Sequence, residues 1–153
     1  MKKLFAIALI ITSFVAGTSV ESLSKHFVRQ PSFIISPAAL YQSDNELYFD
    51  NKLPKNIEIV EQEAPDGEAD YGLTLHATGT HWYKMFVSPT LNDSITEERW
   101  TVLHESCHIR IWENHEADGT AQEYKKRKGD GHGDEWQNCM KDLAMKDAFH
   151  DIW

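Results

Sequence analysis

His104 and His108, four residues apart, stand in the middle of the longest helical pattern in the chain. Ser94-Ile95-Thr96-Glu97 opens that pattern with Ser as N-cap and Glu three places on, a capping box. Glu97 and Glu98 suit the positive end of the helix dipole. Trp100, Leu103, Cys107 and Ile111 recur at helical spacing and form one apolar stripe. The expected helix spans 95–113. Such a helix must bury its stripe, and the two histidines flank that stripe, so they belong at the edge of a core. With 153 residues, the chain has room for one domain and a workable core. No repeat of 20–50 residues suggests a solenoid or propeller.

The segment His104-Glu105-Ser106-Cys107-His108 has the HExxH spacing. Residues four apart share a helical face, so both imidazoles reach one ion. Glu105 is turned about 100° from His104 and can take a proton from a water that the metal activates. A catalytic zinc needs a third protein ligand and one open position. His132 is the favoured third ligand. It sits in Gly129-Asp130-Gly131-His132-Gly133, where flanking glycines let the backbone return an imidazole to the helix. Glu123 and His115 are weaker candidates, and His115 fits a solvated histidine near a helix C-terminus. Ile111 and Asn114 stand where a metzincin needs Gly and His, which excludes that class.

Upstream, Ser36-Pro37 suits a helix start, with a short helix through Leu47. Ile57–Val60, Tyr71–Ala77 and His81–Val87 have strand character, separated by turn residues. The acidic stretch 61–70 is a loop. Residues 114–131 are a loop or short helix, and Glu135–Ile152 suits a final helix. The expected class is α+β.

Several blocks in order resemble the SprT-like (Spartan-type) zinc metallopeptidase family, over about residues 38–145. They are Tyr48–Pro54, His81–Leu91, Val102-Leu103 leading into His104–His108, and Gly131-His132-Gly133-Asp134-Glu135-Trp136. The last block is the most specific. The resemblance implies a minimal zincin-like fold, a small antiparallel sheet packed on the active-site helix and flanking helices. It implies zinc held by His104, His108 and His132, with Glu105 as general base. Family members act on proteins crosslinked to DNA and carry added DNA-binding or ubiquitin-binding regions. No such region is expected in this acidic chain, so the catalytic chemistry is expected to carry over without the repair role.

The N-terminus argues for export. Met1-Lys2-Lys3 precedes Leu4–Gly17, in which eleven of fourteen residues are apolar and none is charged. That is short for a membrane span, which needs about 20, and has the form of a signal peptide cleaved after Gly17. An uncleaved anchor at 4–17 and a buried helix are the alternatives. Residues 18–36 are an entry arm or propeptide-like segment, and 37–153 are the peptidase domain. Net charge is 15 − 24 = −9, which argues against a general nucleic-acid binder. Cys107 and Cys139 are most simply two buried thiols; a bridge is the alternative for an exported chain. Lys125–Lys128 is expected to be a solvated loop. Trp112 and Trp136 either pack or line the site, and Asp130 or Asp134 either orients an imidazole or lies at the surface.

Two functions are expected to compete. One is an exported zinc metalloendopeptidase, a monomer acting on extended or unfolded protein or peptide. The other is a non-catalytic, zinc-stabilised interaction module. An uncleaved, intracellular chain would bring back a protease of DNA-associated proteins. The strand His81–Val87, just before the active helix, is expected to be the sheet edge that receives substrate.

Overall fold

A computed structural model describes residues 35–65, 67, 70–127, 131–150 and 152. These fall in the compact unit of residues 33–153. The signal-peptide and entry-arm expectations therefore lie outside the described residues, apart from Ile35 and Ser36. The protein is α+β, with a three-stranded sheet and four helices among the described residues. The order is α1 (Pro37–Tyr48), β1 (Glu58–Glu61), β2 (Gly72–His76), β3 (Tyr83–Val87), α2 (Ile95–Ala117), α3 (Ala121–Lys125) and α4 (Asp134–Met145).

The sheet is mixed, which corrects the antiparallel expectation. Its spatial order is β1-β3-β2, with β1 parallel and β2 antiparallel to β3. The cause is burial. Tyr83, Met85, Phe86 and Val87 are buried on β3, whereas neither β1 nor β2 has a fully buried residue. The most apolar strand takes the centre, where both edges are covered. Hence His81–Val87 is not an edge, and its expected role as the strand that receives substrate is overturned. β2 is the edge strand on the side of the site.

Helix α2 packs against α1, β2, β3, α3 and α4, so it forms the axis of the molecule. Ser94 Oγ accepts from the Glu97 N–H at 3.2 Å, while Glu97 Oε2 accepts from the Asp93 N–H at 3.1 Å. The box thus closes one residue early. Val102, Leu103, Cys107 and Ile109 are fully buried and meet Leu40, Tyr83, Met85 and Leu143 in one core. Each large aliphatic side chain there stabilises the fold by about 1.5–3 kcal/mol.

Helix α1 is tied to the turn behind it by polar groups. Asn45 exchanges two hydrogen bonds with the Leu53 backbone, each 3.1 Å, and Tyr41 donates to the Pro54 carbonyl at 2.8 Å. Helix α4 ends at Met145, short of the expected Ile152. The Ala148 N–H reaches the Leu143 carbonyl and the Asp147 N–H reaches Ala144. Asp147 has φ 60°. This is a Schellman stop with Asp where Gly is usual, so the sequence carried no glycine to mark it.

Cys107 and Cys139 are joined by a disulfide, with Cα atoms 5.8 Å apart. This corrects the expectation of two thiols. Both face the same core from α2 and α4, a proximity that spacing alone does not encode. Closing a loop over a separation of 32 residues stabilises the fold by roughly 3–4 kcal/mol on the chain-entropy account.

Candidate metal centre

The middle of α2 presents His104 and His108 to a cavity of about 840 Å³, and His132 enters from the turn before α4. One nitrogen from each of the three lies within 4.8 Å of the others. The Nε2 atoms of His104 and His132 are 3.0 Å apart, and the ring centroids are 4.9–5.2 Å apart. Two nitrogens bound tetrahedrally at about 2.0–2.1 Å from one zinc would stand about 3.3 Å apart. The His104 and His132 spacing fits that requirement.

The electrostatics agree. Burial, then the neighbouring His108 and His132, push the His104 pKa down to about 3, which keeps the ring neutral and its lone pair available. Three converging imidazoles are a donor set for a transition-metal cation. The other nitrogen of His104, Nδ1, is buried without a hydrogen-bond partner among the described residues. Ligating histidines more often donate that N–H to a carboxylate or carbonyl. The cluster can therefore hold a metal ion.

Local backbone explains the convergence. Gly131 has φ +81°, and a Cβ there would lie 3.2 Å from the His108 ring. Only glycine suits both the left-handed turn and the close approach. Trp136 walls the site, with its ring 4.7 Å from His104 and 4.6 Å from His132. The Gln137 amide holds the His132 carbonyl at 3.2 Å.

Glu105 is 3% exposed, and its Oε1 lies 3.8 Å from His104 Nε2. Burial pushes its pKa up to about 7; Thr74 opposes this and Asp70 reinforces it. A carboxyl near pH 7 is in the range that suits a general base. Gly72 on β2 makes room for it, since a Cβ there would meet Thr101 Cγ2 at 2.6 Å and Glu105 Cγ at 3.0 Å.

Each remaining candidate has a place. His115 is not drawn to the cluster. Its Nε2 meets Glu135 at 2.8 Å, its Nδ1 meets Thr120 at 2.6 Å, and its ring stacks on Tyr124. Glu123 lies exposed on α3 and does not line the cavity. Trp112, Trp136 and Asp134 line the cavity, and Asp130 lies outside the described residues. Of the basic run, Lys125 and Arg127 line the cavity and Arg127 pairs with Glu135 at 2.9 Å.

Sequence reasoning missed the opposite wall, Asp70 to Thr74 together with Trp100 and Thr101. Gly72 inside a strand pattern was the one available signal, because such a glycine often marks a close backbone approach. Compared with known proteins, the chain matches no protein-family model, no curated protein and no solved structure.

Proposed function

We propose that this protein is an exported zinc-dependent metalloendopeptidase of the SprT-like type, built on a minimal zincin fold. The observation that carries the reading is a buried carboxylate, Glu105, beside three converging imidazoles at the floor of an open cavity. A purely structural metal site has no use for that carboxylate and normally closes its fourth position. This favours the enzyme over the non-catalytic module.

His104, His108 and His132 would hold the zinc. When bound, zinc supplies Lewis acidity, acidifying water and polarising a carbonyl. Glu105 accepts the proton of the attacking water and passes it to the leaving nitrogen, so the amine departs neutral. Gly72 leaves the room in which that carboxylate stands. The β2 edge, which lines the cavity at Gly72 to Thr74, offers main-chain groups to an extended peptide. Backbone pairing carries little sequence information, so broad action on unfolded or loop segments is expected, by a monomer. The net charge of −9 disfavours bare DNA as a partner.

The Cys107–Cys139 bond supports export, because structural disulfides persist in oxidising compartments. Among the described residues no helix is long and apolar enough to cross a membrane.

The decisive experiment measures metal content and casein cleavage by wild type and Glu105→Gln. One zinc in both is expected, with cleavage reduced on the order of 10²–10⁴-fold in the variant. Equal turnover would remove Glu105 from the chemistry. A zinc-loaded wild type inert on varied unfolded proteins would favour the module. Intact mass after secretion should show loss of about 17–22 residues. A full-length cytoplasmic product would favour a protease of DNA-associated proteins.

A further inference from the structure

The donors of the metal centre come from two separate elements. His104 and His108 are fixed one turn apart on α2, whereas His132 comes from the turn before α4, where the Gln137 amide holds its carbonyl. Cys107 is the residue before His108, and Cys139 lies in the second turn of α4. We propose that the Cys107–Cys139 bond is a positioning element of the metal centre, clamping α4 so that His132 stays against His104 and His108. This rests on the reading of the three histidines as a metal site.

Besides the disulfide, Leu143 in the C-terminal half of α4 packs into the core with α2, while the polar ties are weak. Arg110 meets Asp142 at 3.3 Å, with both side chains around 40% exposed, and His115 meets Glu135, whose side chain is 45% exposed. Exposed pairs of this kind add little. Helix α4 has 12 residues, too few to persist without tertiary support. Its first turns carry Trp136, packed on His104 and His132, and Gln137, which holds the His132 carbonyl. Both bond termini are buried, Cys107 at 0% and Cys139 at 4%. The clamp therefore acts from the core side, while the imidazoles face the cavity. Removing it leaves every ligand in the sequence but loosens the segment that delivers His132.

The test is cobalt(II) binding to the full chain, followed by visible absorption, for wild type and Cys107→Ala/Cys139→Ala. Leu40→Ala, a core change in α1, controls for lost stability. The disulfide-free variant is expected to bind about 10- to 100-fold more weakly, the usual cost of losing an orienting partner. Its d–d band should also change, because a loosened third ligand alters the coordination. Leu40→Ala should bind within about twofold of wild type, as a distant and independent site does. A folded double variant with wild-type affinity and spectrum overturns the proposal. If the double variant does not fold, wild type reduced by a phosphine replaces it. The phosphine takes an oxygen from water and leaves two thiols. Unchanged cobalt affinity in that species equally overturns the proposal. An oxidised wild type that takes up no cobalt or zinc overturns the metal reading itself.

Discussion

Helix α2 borders two groups of histidines whose surroundings are opposite. At its middle, His104 and His108 turn toward His132, and the three rings crowd within about 5 Å of one another. Toward its C-terminal end, each histidine has a carboxylate partner. His81 meets Glu113 at 3.0 Å, His76 meets Glu116 at 3.5 Å, and His115 meets Glu135 at 2.8 Å. Glu113 also accepts from the Tyr83 hydroxyl at 2.6 Å, and Glu116 from the Gly79 N–H at 2.7 Å. These pairs fasten the β2–β3 hairpin and the start of α4 to the helix. Glu113 raises the His81 pKa through its hydrogen bond and charge, whereas burial and the other rings lower that of His104. One group is held by carboxylates; the other converges ring nitrogen on ring nitrogen, as ligands of a shared cation do. Residue type does not separate ligand from clamp, but what faces the ring does.

The sharpest break of that contrast is alanine scanning of the six histidines of these two groups, with metal affinity as readout. His104→Ala, His108→Ala and His132→Ala should each weaken zinc by about 100-fold or more. That follows if roughly 10–16 kcal/mol of site energy is shared among three or four ligands. His76→Ala, His81→Ala and His115→Ala should keep one zinc per chain. Loss of zinc in His115→Ala with retention in His132→Ala would invert the assignment.

Next in size is Gly72→Ala. The added methyl collides with Thr101 and Glu105, and such overpacking costs about 1–3 kcal/mol of stability. Zinc should be retained while proteolysis falls about 10- to 100-fold, the range for a misplaced catalytic group. Unchanged activity would show that Glu105 does not depend on the β2 wall.

A smaller effect is expected at the clamps. His115→Ala should lower stability by about 1 kcal/mol or less, the usual value of a partly exposed pair, as read by urea denaturation. A larger loss would mean that α3 depends on this contact.

A pH-dependent effect is expected at an ion pair that belongs to neither histidine group. Asp44 is 1% exposed and meets Arg99 at 3.3 Å, yet burial raises its pKa to about 6, against Arg99. The folded protein therefore binds this proton more tightly than the unfolded chain. Its contribution is full below about pH 3.9 and is lost as pH rises through about 6. Wild type should lose stability relative to Asp44→Asn between pH 4 and pH 7 in denaturant titrations. A gain over that interval would show that Arg99 dominates.

The sequence by itself determined what is local. The capping box, the stripe of Leu103, Cys107 and Ile111, and the four-residue spacing of His104 and His108 are contained within one or two helical turns. Gly131 and Gly133 around His132 announced a backbone able to return to the helix. Tertiary structure decided whatever depends on partners distant along the chain. β3 took the centre of the sheet because its buried face outcompeted β1 and β2, which moved the edge to β2 and made Gly72, rather than the strand before α2, the neighbour of Glu105. The same assembly brought Cys107 to Cys139 and gave His115 to Glu135. Sequence spacing sets which side chains share a helix face, but burial and chain crossing set what that face meets.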